Sequence, residues 1–346
     1  MPISDRGIAR LVASCPSMSG TFEREEIIGY ATVAGLAIVP AASLIAVDLP
    51  ATNGSYPFVT FSLVLLLVLC LLRPLCLVTR RHPTPTRQLL ADVKTNWPWL
   101  ATSLFMAVAL PQTLDSATSL KRLIPELHPY YADDALIRLD ALIGIDPWRL
   151  THAIFGAAAT RLLDTLYGLW HVGQIGLAMW LVLSRHRPFQ LQAALSFQLA
   201  WLLMGGLLAI AFASVGPCFV DDFFGNERYA PLMARLPDDL HSATAMKYLL
   251  ASQGTEAIGG GISAMPSLHV AISVLIGLCL RNRLPRWQWL AWAYAAAIYL
   301  ASIHLGWHYA SDGIVSAVGM VAIWKAAGWY VEWLGRPRRR ATLRVA

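Results

Sequence analysis

Charge is what this chain has least of. Asp, Glu, Lys and Arg together make up 14% of its 346 residues, where a water-soluble domain carries roughly 25%. With 56% hydrophobic residues and a mean hydropathy of +0.52, that shortage excludes water as the main solvent. Other absences narrow the field. The five cysteines (Cys15, Cys70, Cys76, Cys218, Cys279) contain no CxxC pair, so neither a disulfide framework nor a zinc site is expected. No HExxH occurs, and His304 and His308, although at helical spacing, have no obvious third ligand. A metal centre is therefore not expected, nor any cofactor. Residues 1–26 mix Arg6, Arg10, Arg24 and Glu23 with Ser and Pro and end without a small-residue cleavage site. They read as a cytoplasmic leader and not as a signal peptide. The net charge of +6 has no basic soluble domain to carry it, so nucleic acid is not an expected partner.

What is present is a series of long apolar runs. Eight lie near 27–47, 58–79, 97–117, 164–184, 190–214, 264–281, 287–306 and 311–334, each close to the roughly 20 residues a helix needs to cross a bilayer. The second is interrupted by Arg73-Pro74. The basic residues between the runs give an orientation. Arg80, Arg81, Arg87 and Lys94 follow the second run, and Arg185 and Arg187 separate the fourth and fifth. Arg281, Arg283 and Arg286 separate the sixth and seventh, and Arg336, Arg338, Arg339, Arg340 and Arg344 follow the eighth. The positive-inside rule puts all four clusters, and both termini, in the cytoplasm. An all-α polytopic membrane protein of about eight transmembrane helices is expected.

Three longer connections then fall on the outer face. The first, roughly 118–163, holds a stretch from Asp133 to Leu142 with Ala135, Leu136, Leu139 and Leu142 at helical spacing, the pattern of an interfacial amphipathic helix. Asp146-Pro147 reads as a helix start. The second, roughly 215–263, opens on Gly216-Pro217 and closes on Gly259-Gly260-Gly261; the third is the turn from His304 to Asp312. Charge bias alone thus carries His269, His308 and Asp312 to one face of the membrane. Ionisable groups at a membrane edge are costly and mark candidate functional sites.

Their chemistry converges. On a helix His308 and Asp312, four apart, share one face. A carboxylate on one imidazole nitrogen fixes the tautomer and raises the nucleophilicity of the other. His269, opposite, can protonate a leaving oxygen. The amides that open the sixth helix, with Ser267 and the glycine run ending at Gly261, suit a bound anion. The combination fits phosphoryl transfer through a phosphohistidine.

The segments AMPSLHVA (264–271) and ASIHLGWHYASDG (301–313) together resemble the type 2 phosphatidic acid phosphatase superfamily. The likeness is nearer to the branch that includes inositol-phosphorylceramide synthases, where MPSLH and HYxxD are typical. It implies His308 as nucleophile, Asp312 as the group that orients it and His269 as the acid for the leaving group. It further implies a metal-independent six-helix core acting on lipid phosphates. It covers roughly 200–335 and extends back to about 97. The chain departs from the pattern in two places. Where an arginine usually stands six residues before the nucleophile there is Ser302. The basic first motif is replaced by ASVGPCFVDDFFGNERYAPL (213–232).

The phosphate-neutralising cation is consequently to be sought among Arg228, Lys247, Lys121 and Arg122, with Arg228 preferred and His304 as a further phosphate contact. Asp221 and Asp222 are candidates for a polyol headgroup. Tyr167, Trp170 and His171, at i, i+3 and i+4, are candidates for lining the pocket, along with Lys121. The expected organisation is a leader (1–26), two additional helices with a cytoplasmic loop (27–96), a catalytic six-helix domain (97–335) and a basic tail (336–346). The expected activity is a lipid phosphate phosphatase at the outer face of the plasma (inner) membrane. Headgroup phosphotransfer is the alternative, and a transporter or scramblase a second one, weakened by the lack of inverted-repeat symmetry. The expected partners are a lipid phosphate and the bilayer.

Overall fold

The computed structural model describes residues 22–46, 56–79, 83–142, 144–255 and 260–336. Most of the leader, Arg80, Arg81, Gly259 and the tail from residue 337 lie outside the described residues. Among the described residues there are helices and turns and no strand. Helices occupy all eight apolar runs: α1 (Arg24–Ala46), α2 (Tyr56–Thr79), α3 (Pro85–Arg122), the pair α6 (Ala157–Gly168) and α7 (Trp170–Leu183), α8 (Arg187–Leu199, continued to Ala211), α10 (Leu268–Arg283), α11 (Gln288–His304) and α12 (Ala310–Leu334). Among the shorter helices between them are α4 (Asp133–Ala141), α5 (Pro147–Ile154) and α9 (His241–Ala251).

Among the described residues, five stretches are long and apolar enough to cross a membrane: 24–46, 62–79, 157–183, 187–211 and 310–334. The remaining long helices differ in instructive ways. α3 runs for 38 residues, because polar residues such as Lys94, Thr95 and Asn96 prolong the helix without extending the apolar run. α10 has only 16 residues, about 24 Å at 1.5 Å per residue. It begins at Leu268 and not at 264, since Pro266 lacks an N–H and Ser267 serves as the N-cap.

Local sequence explains how the bundle closes. α8 widens into a π-helix over Ala200–Leu208, whose Gly205 lies so near α10 that a Cβ there would come within 2.6 Å of the Leu268 side chain. π-turns of this kind often occur beside functional sites, and this one abuts the residue before His269. α1 is built into the same core. Tyr30 Oη donates to Gln190 at 2.7 Å, and Gln198 Nε2 donates to the Val33 carbonyl at 3.0 Å and to Thr113 at 2.9 Å.

The two ends of the bundle carry different chemistry. At one end Arg185 donates to Asn96 at 2.7 Å and lies over the Trp99 ring, Arg187 pairs with Glu26, and Arg283 lies over Phe189. At the other end the loops pack around a small core of their own, which includes Trp148, Val215, Cys218, Phe219, Leu232, Ile262 and Tyr309. Since α10 begins beside His269 and ends at Arg283, the two ends lie roughly 20 Å apart along its axis.

Candidate active site

His269 is the second residue of α10, and His308 stands just ahead of α12, whose N-cap is Tyr309. Their ring centres are 5.9 Å apart, close enough for both rings to reach one bound group. Asp312 joins them and is fully buried. The structure therefore brings all three residues together, but not by the i, i+4 helical face. His308 precedes the helix, and Asp312 reaches it from the first turn because its Oδ2 accepts from the Tyr309 N–H at 3.0 Å.

The closest partner of His308 Nδ1 is the Ala264 carbonyl at 2.8 Å, with Asp312 Oδ2 at 3.5 Å. A carbonyl can only accept, so this bond assigns the proton to Nδ1 and leaves Nε2 with its lone pair. The His308 N–H donates to the Ser302 carbonyl at 3.1 Å, while the Ser302 hydroxyl turns back to Tyr299. Where the superfamily pattern has arginine, this chain thus has a buried serine engaged with backbone.

His269 is sandwiched by aromatic rings. Tyr167 stacks on it with ring centres 4.3 Å apart, Trp170 lies at the same distance, and His171 is an edge neighbour at 6.4 Å. The Tyr167 hydroxyl and the indole N–H groups of Trp170 and Trp307 are buried without a hydrogen-bond partner among the described residues. Lys121, in the last turn of α3, is within electrostatic reach of His269. Gly261 belongs to the same corner: a Cβ there would meet the Lys121 carbonyl carbon at 2.9 Å, so its bareness lets the loop lie against α3. The Ser267 hydroxyl caps α10 by accepting from the Val270 N–H at 3.4 Å.

Other candidates are placed elsewhere. Both ring nitrogens of His304 are engaged, with the Thr160 hydroxyl at 2.9 Å and the Thr151 hydroxyl at 3.1 Å. Its ring also stacks on His152, which bonds to the His304 carbonyl. Burial lowers the pKa of His152, an effect partly offset by that bond. His304 thereby ties α5 and α6 to α11. Arg228 is paired with Asp146 at 2.5 Å. Asp146, expected as a helix cap, makes no side-chain capping bond and instead holds Arg228 and Arg149. Asp221 and Asp222 are exposed on the short helix Val220–Phe224. Asp222 lines a cavity of about 250 Å³, walled by Phe219, Met233, Leu240 and Met246, with Asp238 and Lys247 at its edge. Among the described residues no three His, Cys, Asp or Glu side chains gather as a metal site.

The sequence analysis missed two groups that frame His308. α4 does have an exposed apolar face, formed by Ala135, Leu139 and Leu142, but the face it buries is Asp133, Leu136 and Asp140. Asp140 accepts from the Ala310 and Ser311 N–H groups at 2.7 and 3.1 Å. Asp133 accepts from Val215 and Gly216 N–H at 2.9 and 3.0 Å and from the Tyr309 hydroxyl at 2.8 Å. Burial raises the Asp133 carboxyl, and those bonds pull it back down. Burial and the Asp133 carboxylate together push the Tyr309 phenol up, so it stays a donor. The signal was in the sequence: two aspartates seven apart lie on one helix face.

Gly216 completes this corner. Its φ of +90° suits glycine, and a Cβ would sit 2.6 Å from the Trp307 carbonyl oxygen. The Gly-Pro that replaces the expected basic motif is therefore packed against the chain that carries His308.

Fold and site define an all-helical integral membrane protein with two histidines and a carboxylate gathered at one end of its bundle. The model of the PAP2 superfamily matches residues 134–326, more than half of the chain, and the chain belongs to that superfamily. Membership makes it, at a coarse level, a phosphatase or phosphotransferase of lipid phosphates. No curated protein and no solved structure matches the chain.

Proposed function

We propose that this protein is a metal-independent lipid phosphate phosphatase working through a phosphohistidine. The observation that carries the reading is the bond from His308 Nδ1 to the Ala264 carbonyl, which leaves Nε2 as a lone pair across from His269. His308 Nε2 attacks phosphorus. The nitrogen–phosphorus bond forms as the ester phosphorus–oxygen bond breaks, and His269 gives its proton to the departing oxygen. Asp312, 3.5 Å from Nδ1, stabilises the positive imidazole ring. Water then attacks the phosphorus, His269 takes a proton from it, and phosphate leaves as His308 is regenerated. Lys121 is the charge we assign to the phosphate. Arg228 is the weaker candidate, since Asp146 already neutralises it. The site is assigned to the outer face of the inner membrane, with the arginine-bearing end and both termini in the cytoplasm.

A second reading, phosphotransfer to a lipid or polyol hydroxyl, is favoured by the 250 Å³ cavity beyond Phe219. The ring of Phe219 meets that of Trp307, next to His308. The cavity gives a second substrate room beside the site, and Asp222 and Asp238 supply acceptors for its hydroxyls. Likeness to the inositol-phosphorylceramide synthase branch points the same way.

The test is turnover by purified protein in detergent with EDTA, across a panel of lipid phosphates with and without diacylglycerol, ceramide or inositol. Free phosphate that disappears in His308→Ala supports the phosphatase. A phosphorylated acceptor with little free phosphate replaces it by the transferase. Retained turnover in His308→Ala overturns the nucleophile.

A further inference from the structure

The first turn of any helix leaves amide N–H groups in need of acceptors. At α12 the residue in the capping position is a tyrosine, which supplies no short side-chain acceptor. The Tyr309 N–H is taken by Asp312, and those of Ala310 and Ser311 are taken by Asp140. Asp140 comes from a loop helix 170 positions earlier in the chain. Its helical neighbour Asp133 accepts from the Tyr309 hydroxyl and the Gly216 amide at Oδ1, and from the Val215 amide, which lies closer to Oδ2. The chain at Gly216 in turn lies against the Trp307 carbonyl. The chain after residue 308 is thus fastened to both carboxylates, and the chain before it packs against a segment that Asp133 holds.

α4 has little else to do in the fold. It is nine residues long, its buried positions are Asp133, Leu136 and Asp140, and Leu139 and Leu142 face outward at 48% and 81% exposure. A helix that buries one leucine and two carboxylates contributes position more than apolar burial.

From this geometry we infer that Asp140 and Asp133 are positioning residues of the reaction, which hold the His308 imidazole in register with His269. The inference rests on the proposed role of His308. Asp140 touches no reacting atom and acts through the Ala310–Ser311 backbone. Asparagine at 140 keeps one acceptor but presents an NH₂ group to the second amide, so the first turn of α12 shifts.

The experiment compares Asp140→Asn and Asp140→Ala with Asp134→Asn, an exposed neighbour on the same helix, in the full-length protein in detergent. Expected for Asp140→Asn is a fall in kcat of about 10- to 100-fold with KM within about twofold. Asp140→Ala falls further, and Asp134→Asn matches the wild type. Melting temperature is measured in parallel, and a kcat loss that tracks a melting loss overturns the inference. A fourth readout does not depend on turnover. In ¹⁵N-histidine-labelled protein the Nδ1–H signal of His308, identified by its disappearance in His308→Ala, is expected to shift or broaden in Asp140→Asn. An unchanged signal overturns the positioning role whether or not a substrate has been found. Wild-type turnover that is lost in His308→Ala but intact in Asp140→Asn overturns this inference alone. Absence of turnover on every lipid phosphate overturns the proposed function, and the histidine signal still decides the role of Asp140.

Discussion

At the histidine end of the bundle, Asp133, Asp140, Asp164 and Asp312 each accept hydrogen bonds from backbone amides. At the opposite end, Arg185, Arg187 and Arg283 reach over aromatic rings and toward Asn96 and Glu26. Short carboxylates with few rotamers hold main chain in place at low entropic cost. Long cationic side chains have larger rotamer freedom; here Arg283 is exposed, while Arg187 is buried against Glu26 and the Phe22 ring. The end that gathers the two histidines uses the first device, and the arginine-bearing end uses the second. The same division applies within the histidine end: His304 is bonded at both nitrogens, whereas Arg228 is half-exposed and paired with Asp146.

Four substitutions break or sharpen this contrast. His308→Ala has the largest expected effect, a loss of turnover of about 10³-fold or more with an unchanged melting curve, measured as phosphate release in detergent. Gly216→Ala comes next. The positive φ and the nearby Trp307 carbonyl make it cost about 2–3 kcal/mol, read from thermal unfolding, with turnover falling because the His308 segment moves. His304→Ala removes two buried hydrogen bonds, although the Thr151 and Thr160 hydroxyls keep backbone carbonyl partners, and costs about 1–3 kcal/mol. Its KM stays within about twofold of wild type, and a KM rise of tenfold with unchanged stability restores His304 as a phosphate contact. Arg228→Ala is the smallest, with turnover within about twofold, as expected for removing an exposed pair. A large loss there means that Arg228 leaves Asp146 to meet the phosphate.

The placement of His304 shows why spacing alone was insufficient. At the end of α11, four residues before His308, it was a reasonable phosphate contact. In the fold His304 ends a helix and His308 follows two turn residues and Trp307, with Gly306 at φ +79°. The chain reverses between them, and the two rings face different partners. The i, i+4 reading of His308 and Asp312 named residues that meet, but His308 stands before the helix and not on its face. α4 shows a different limit. Its amphipathic pattern was legible, but hydropathy labels the apolar face as the one to bury. In a chain whose surroundings include lipid, Leu139 and Leu142 can face outward and the aspartates inward.

By itself the sequence determined the solvent, the eight helical runs, the common end of the two histidine motifs and the superfamily. Each of these depends on composition, on local periodicity or on residues close together in the chain. Only the tertiary structure decided which acceptor orients His308, where His304 and Arg228 spend their hydrogen bonds, and that Asp133 and Asp140 hold the chain beside His308. Those bonds join atoms 44 to 176 positions apart. The need for a partner is written in each residue's chemistry, but the partner itself is chosen by how the helices pack.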